Sequence, residues 1–190
     1  ASWAELLGSG KAGPIAMMAF GVWLHAADEQ MVSTITPDMV AEIGGARYVA
    51  WLTALYETGS IVSGAAGAIA VMALGLNRAM ALAAAIYAAG CVASAFAPWM
   101  EAMLGGRLVQ GIGGGAMIAI AFVSIHKLLP NRLTTRGYAL LSVVWGASAF
   151  AGPMIGASFA ELGSWRWAFL FYALQAGIFS MVAFATLPAT

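Results

Sequence analysis

The chain has 190 residues, of which 62% are hydrophobic and only 8% are charged, whereas about a quarter of the residues in a soluble domain are charged. Eight basic and eight acidic side chains cannot cover the surface of a soluble protein of this size, so lipid is expected to be the outer solvent. The net charge of zero argues against nucleic-acid binding, which requires a basic face.

The apolar runs predict an all-α membrane protein with six transmembrane helices. Crossing a hydrocarbon core of about 30 Å takes roughly 20 helical residues, and runs of that length are bounded by charged or turn residues. Their approximate ranges are 13–37, 46–74, 79–98, 101–126, 136–160 and 166–187. The short connections between them predict an antiparallel bundle over residues 13–187.

Residues 1–12 precede this bundle and are expected to lie at the membrane surface. Trp3 suits the headgroup level, and Ser2 and Glu5 have the spacing of a capping box at the start of a short helix. The first apolar run is followed by an acidic stretch instead of a small-residue cleavage site, so it is expected to stay in the protein.

Basic residues between the predicted helices indicate the orientation, because lysine and arginine accumulate in cytoplasmic loops. With the N-terminus inside, one face carries a mainly basic set: Lys11, Arg78, Lys127, Arg132 and Arg136. The other face carries a mainly acidic set: Asp38, Glu42, Glu101 and Glu161, with Arg47 and Arg166. The sequence therefore predicts an inner (cytoplasmic) membrane protein with both termini in the cytoplasm.

Four charged residues are predicted to lie inside the membrane: Asp28, Glu29, Glu57 and Arg107. At 1.5 Å per residue, Asp28 and Arg107 lie roughly 9 Å below the outer boundary and Glu57 roughly 13 Å below it. Charges inside a span are costly and normally face a cavity or a partner, so this common layer indicates a polar interior. Arg107 cannot neutralise three carboxylates, and at least one is expected to be protonated, as proton coupling requires.

The layer has two interpretations: proton coupling, or a purely structural role. In the structural interpretation, Arg107 and one acid form an ion pair that holds the first and fourth helices in register. Glu29 lies about 100° round the helix from Asp28, where it would face another helix or the second half of a transporter. His25 lies one turn deeper than Asp28 on the same face, as a cavity residue or as a hydrogen-bonded packing residue.

Glycine-rich patterns occur in the second and fifth predicted helices, which read GSIVSGAAGAIAVMALG and GASAFAGPMIGASFAELG. Small residues let neighbouring membrane helices approach closely, and Pro153 is expected to bend the fifth helix beside Gly152. The related patterns LGLNR at 74–78 and LGSWR at 162–166 each open the next helix. They predict two inverted three-helix repeats, 13–98 and 101–187, an arrangement found in secondary transporters.

Three motifs in this order resemble the major facilitator superfamily, in particular its drug:proton antiporters with fourteen spans. The run GGRLVQGIGGG resembles the fourth-helix arginine motif, with Arg107, Gln110, Gly111 and Gly115 in the matching places. The run GASAFAGPMIGA resembles the fifth-helix antiporter motif, with matches at Gly146, Gly152, Pro153 and Gly156. Asp28, followed by MVSTITPDM, resembles the first-helix acidic motif of the fourteen-span branch.

The resemblance covers essentially the whole chain but corresponds only to the amino-terminal six-helix half of such transporters. It implies proton coupling through Asp28 and Arg107, a cavity lined by the first and fourth helices, and an association of Gly152 and Pro153 with antiport. We expect His25, Gln110 and Gly111 to line the substrate cavity, and the glycine and proline pattern of the fifth helix predicts gating at Gly152, Pro153 and Gly156. One departure is clear. The loop after the second helix carries Met72 and Ala73 where the family has an acidic and a basic residue.

The sequence thus favours a proton-coupled antiporter half that exchanges a hydrophobic or cationic small molecule for protons. The second half would be joined covalently or supplied by a second copy of the chain. The altered loop favours a rival interpretation, a non-transporting membrane scaffold or assembly subunit. A channel and an enzyme are disfavoured, because no filter sequence, metal-ligand cluster, nucleophile elbow or phosphate loop is evident and no cofactor is expected. The lone cysteine, Cys91, is expected to be a small buried hydrophobe.

Overall fold

In the computed structural model, which describes residues 1–189, six long helices follow one short amino-terminal helix. The short helix α1 spans Trp3–Gly8. The long helices are α2 (Ala12–Ile43), α3 (Val49–Leu74), α4 (Leu76–Ala95), α5 (Met100–Leu128), α6 (Asn131–Glu161) and α7 (Arg166–Thr186). A 3-10 turn, Ala46–Tyr48, precedes α3. Six long helices and no strand occur in the described part of the chain, which confirms the predicted all-α class.

Three helix ends differ from the predicted ranges. The helix α2 continues through Pro37 to Ile43 and stops only at Gly44, whose φ of 71° ends the helical geometry. The helix α4 begins at Leu76 because Gly75, with a φ of 86°, ends α3 and allows the next helix to start at once. The helix α6 begins right after the extended Pro130.

Five of the long helices are long and apolar enough to cross a membrane. The exception is α2, which has ample length at 32 residues but carries Asp28 and Glu29 near its middle and Asp38 and Glu42 near its end. These acids lower its hydropathy. The helix α2 nevertheless packs in the same bundle, against α5 and α6.

The short helix α1 is joined to the start of α6. The Ser2 hydroxyl accepts a hydrogen bond from the Glu5 amide at 3.2 Å, which is one half of the predicted capping box. The Glu5 carboxylate instead forms an ion pair with Arg132. The guanidinium of Arg136 lies 5.1 Å from the centre of the Trp3 ring. The predicted surface segment is therefore held to α6 by charge and by a cation–π contact.

The bundle is centred on α5, which packs against α3, α4 and α2, while α2 packs on α6 and α4 on α7. Glycines make the closest contacts. A Cβ atom at Gly111 would lie 2.1 Å from the Tyr56 carbonyl oxygen, and one at Gly115 would lie 2.3 Å from the Cα of Ser60. On the other side, a Cβ at Gly152 would lie 2.7 Å from the Ala27 carbonyl oxygen. The helix backbones can approach this closely because the residues at these contacts are glycines, which have no side chain.

The packing pairs the first helix of one predicted repeat with the second helix of the other, since α2 lies on α6 and α5 lies on α3. This exchange is what a pseudo-two-fold relation between the repeats requires. The boundaries 1–12, 13–98 and 101–187 stay predictions.

The predicted loop after the second helix is a junction of one residue, Gly75, between α3 and α4, and this junction contacts the segment that follows α7. The Asn77 amide donates to the Pro188 carbonyl at 3.2 Å, and its side-chain amide donates to the Phe184 carbonyl at 3.2 Å. A Cβ at Gly75 would lie 2.1 Å from the Ala189 carbonyl oxygen. Met72 and Ala73 themselves lie in the last turn of α3, and both are exposed.

Candidate functional site

An ion pair between Asp28 of α2 and Arg107 of α5 is fully buried in the centre of the bundle. One Asp28 oxygen accepts from Nη1 of Arg107 at 2.5 Å, and the other accepts from the side-chain amide of Gln110 at 2.8 Å. The carboxylate thus has a donor on each oxygen. We call Asp28, Arg107, Gln110 and Ser94 the ion-pair network.

Arg107 also binds α3. Its Nε donates to the Leu52 carbonyl at 3.3 Å, and its guanidinium lies 4.1 Å from the centre of the Tyr56 ring. Its Nη2 has no hydrogen-bond partner among residues 1–189. The positive charge of Arg107 is therefore stabilised by the Asp28 carboxylate and by the face of the Tyr56 ring. These contacts join α2, α3 and α5 around one buried cation.

Gln110 extends the network to α4. Its side-chain oxygen accepts from the Ser94 hydroxyl at 2.7 Å, and its amide nitrogen lies 3.3 Å from the Cys91 sulfur. Cys91 is buried, as the sequence predicts. A Cβ atom at Gly90 would lie 2.5 Å from the backbone nitrogen of Gln110. A larger residue at position 90 would therefore displace the backbone that carries Gln110.

Tyr56 connects this network to His25. The Tyr56 hydroxyl lies 3.0 Å from the backbone carbonyl oxygen of His25 and 3.0 Å from Nδ1 of the His25 imidazole ring. The hydroxyl has a single proton, so it satisfies both contacts by donating to the carbonyl and accepting from Nδ1–H. In the tautomer that satisfies both contacts, the lone pair of the His25 ring lies on Nε2.

A second group of ionisable side chains lies beside this histidine. A ring nitrogen of His25 and one carboxylate oxygen each from Glu29 and Glu57 all lie within 4.8 Å of one another. His25 is buried, whereas both glutamates are only half-buried. We call these three residues the His–Glu cluster. No basic side chain forms a salt bridge with either glutamate within residues 1–189, in contrast to Asp28.

The four charges predicted inside the membrane thus divide into two groups. The acid that pairs with Arg107 is Asp28, and Arg107 forms no salt bridge with Glu29 or Glu57. Glu29, one residue after Asp28, lies beside Glu57 of α3. Proton coupling by any of the four stays a prediction.

The three residues predicted to line a substrate cavity occupy different environments. His25 lines a cavity of about 220 Å³ between α2, α3, α5 and α6, together with Ser60 and Trp145. Gln110 is buried within the ion-pair network, and Gly111 is buried against the backbone of Tyr56. In this conformation the geometry gives Gly111 a packing contact with α3. Their roles in substrate binding stay predictions.

The predicted gating motif lies where α6 meets α2. Gly152 and Gly156 are buried, and a Cβ at Gly156 would lie 3.0 Å from the Met31 carbonyl oxygen. Pro153 is half-buried inside α6, whose helical geometry continues from Asn131 to Glu161. Pro153 has no amide hydrogen to donate within the helix, which weakens α6 beside this contact. A gating role for the motif stays a prediction.

Sequence reasoning missed three parts of the site. Tyr56 lies in a predicted span, where an aromatic residue is usually a packing residue. Leu52 takes part only through its backbone carbonyl oxygen, which its side chain does not indicate. The metal-ligand geometry of the His–Glu cluster was also missed, because Glu57 comes from another helix. The available signal was the spacing of His25 and Glu29, four residues apart on one helical face.

A buried, hydrogen-bonded ion pair within a bundle of six long helices, five of them apolar enough to cross a membrane, is typical of a membrane transporter. A family model described as Major Facilitator Superfamily matches residues 18–190. The chain belongs to the Major Facilitator Superfamily, as its motifs indicated, and it is a multi-pass membrane protein of a transporter family.

The relatives are longer proteins. A probable multidrug-efflux transporter of Mycobacterium tuberculosis is 36% identical over 181 residues, which are 95% of this chain and 38% of that protein. Multidrug resistance protein 3 of Bacillus subtilis is 30% identical over 154 residues, which are 80% of this chain and 30% of that protein. The chain thus spans less than half the length of these curated relatives.

Solved structures show the same fold. The xylose transporter XylE from E. coli, in an inward-open conformation, superposes with a TM-score of 0.76 at 17% identity, over 94% of this chain and 48% of that one. The human organic anion transporter MFSD10 gives a TM-score of 0.64 at 20% identity, over 92% and 47% of the two chains. The six helices therefore form half of a major facilitator fold.

Proposed function

We propose that the chain is one six-helix half of a proton-coupled multidrug or small-molecule antiporter, and that it works with a second six-helix half, either covalently joined or supplied by another copy. The single observation that carries this proposal is the buried pair of Asp28 and Arg107 beside the His–Glu cluster. The multidrug-efflux names of its relatives support the substrate class. We place the protein in the inner membrane with both termini in the cytoplasm.

In the proposed mechanism, the half-buried carboxyls Glu29 and Glu57 take up and release protons, and Asp28 receives a proton only when its pair with Arg107 opens. A neutral Asp28 no longer holds Arg107, so α2 and α5 are free to shift. Because α2 is packed against Gly152 and Gly156, such a shift would be transmitted to α6. Pro153 weakens α6 at this point.

A hydrophobic or cationic substrate would use the same layer from the cavity side. His25 and Trp145, whose ring centres lie 5.9 Å apart, offer an aromatic surface there. The glutamates offer negative charge that a proton would cancel. Exchange follows because one set of carboxylates cannot bind a cation and a proton at full strength together.

The test is proton movement in sealed vesicles that contain this chain, with an imposed pH gradient and a panel of lipophilic cations. Substrate-dependent proton movement that disappears in Asp28→Asn supports the proposal. The matched control is Asp38→Asn, because Asp38 lies on the same helix but is exposed. Movement that survives in Asp28→Asn would remove Asp28 from the mechanism. If a folded and correctly oriented chain moves no protons, either the chain is a scaffold or it requires the second six-helix half. Adding that half to the vesicles would distinguish the two.

A further inference from the structure

We propose that the His–Glu cluster, formed by His25, Glu29 and Glu57, is a binding site for a divalent transition-metal cation of the zinc class. One nitrogen and two oxygens converge there within 4.8 Å from two helices. His25 and Glu29 come from successive turns of α2, and Glu57 comes from α3. Zinc takes nitrogen and oxygen ligands at about 2.0–2.2 Å, so a bound cation would draw the three atoms closer together.

The donor set selects the cation. An imidazole nitrogen suits zinc, copper, iron and nickel, whereas calcium and magnesium are bound by oxygen alone. Three protein ligands with an unfilled coordination position are the pattern of zinc sites that exchange an outer ligand. His25 also lines a cavity of about 220 Å³ together with Ser60 and Trp145.

The charge also fits a divalent cation. Asp28, the neighbouring acid, is already balanced by Arg107. Glu29 and Glu57 form no salt bridge within the described residues, so the two carboxylates together would carry two negative charges inside a membrane layer. A divalent cation neutralises both at once, whereas an organic monocation would leave one charge.

One nitrogen of the His25 ring is held by a hydrogen bond. His25 is 4% exposed, and the Tyr56 hydroxyl occupies its Nδ1 while donating to the His25 carbonyl. The other ring nitrogen, Nε2, has no hydrogen-bond partner among residues 1–189. Histidines that bind metals commonly have their second nitrogen fixed by a hydrogen bond in this way. Tyr56 is therefore a positioning residue for the site.

The proposal is independent of proton coupling, because metal binding is measured without transport. The probe is Co²⁺ alone, added to the purified chain in detergent without chelator, and its visible absorption reports the number and type of ligands. We expect one equivalent to bind and Zn²⁺ to displace it. His25→Ala and Glu57→Gln should each weaken binding by about 100-fold or more, since loss of even an outer hydrogen bond costs roughly 10- to 100-fold.

The matched control is His126→Ala, which removes the other histidine of the chain, an exposed residue near the end of α5. It should leave Co²⁺ binding unchanged. Tyr56→Phe should weaken binding while the absorption bands keep their shape. Co²⁺ should also quench fluorescence from Trp145, and Trp145→Phe should remove that part of the quenching.

Two results would overturn the proposal. One is Co²⁺ binding that survives both His25→Ala and Glu57→Gln, which would mean adventitious binding elsewhere. The other is no Co²⁺ binding at millimolar concentration by the folded chain, with or without a lipophilic cation that competes for the glutamates. Thermal unfolding of each variant separates loss of the site from loss of the fold.

Discussion

The ion-pair network and the His–Glu cluster lie side by side in one layer, yet their surroundings differ. Asp28 is fully buried and has a donor on each oxygen, whereas Glu29 and Glu57 are half-buried and lack a basic partner in the described structure. Neighbouring carboxyls on one helix therefore have opposite environments. Burial and pairing, and not position along the chain, therefore distinguish Asp28, which joins two helices, from Glu29 and Glu57, for which proton and cation binding are our proposals.

The largest expected effect comes from Arg107→Leu, which leaves the Asp28 carboxylate buried without its partner. Removing one member of a buried ion pair typically costs about 3–5 kcal/mol of unfolding free energy. Equilibrium unfolding in mixed micelles measures the loss. Arg78→Leu, at an exposed site after the loop between α3 and α4, is the control and should change little. Equal stability of the two variants would show that the pair does not hold the helices.

The next effect concerns the helix contact that supports the network. In Gly111→Ala the new methyl group would collide with the Tyr56 carbonyl oxygen, and overpacking of this kind costs about 1–3 kcal/mol. The same unfolding assay measures it. Gly105→Ala in the same helix is the control, because its Cβ meets no atom within 4 Å. If both substitutions have the same effect, close packing of α3 on α5 does not govern this region.

Tyr56→Phe tests the link between the two groups. It removes the hydroxyl shared with His25, and a single hydrogen bond is worth about 1 kcal/mol. Tyr172→Phe is a close control, because the buried Tyr172 hydroxyl has no hydrogen-bond partner within residues 1–189. Thermal unfolding of both variants should show a loss only in Tyr56→Phe. A greater loss in Tyr172→Phe would contradict the assigned contacts.

The smallest effect on stability should come from Glu57→Gln. Glu57 has no basic partner within residues 1–189, and glutamine has nearly the same shape, so removing the charge should not lower the free energy of unfolding. Substrate-driven proton movement in vesicles should nevertheless fall, and Glu161→Gln at the exposed end of α6 should leave it unchanged. Strong destabilisation by Glu57→Gln would assign Glu57 a structural role.

Much of the layer could be predicted because a membrane helix rises by a fixed distance per residue and charges inside a bilayer are rare. Asp28 and Arg107 could therefore be placed at one depth. The choice of partner could not be predicted, since it depends on how each helix is rotated, and Tyr56 contributes through a ring face and a hydroxyl. The extension of α2 past Pro37 also escaped prediction, because the glycines at 44 and 45 end the helix instead.

Labelling of carboxyl groups with a hydrophobic carbodiimide, in membranes that contain the chain, tests the central comparison most directly. Mass spectrometry then locates the modified residues. We predict labelling at Glu29 or Glu57 and none at Asp28, because Asp28 is buried and both its oxygens accept hydrogen bonds. Labelling of Asp28 as fast as that of Glu57 would contradict the division into a closed ion-pair network and an accessible His–Glu cluster.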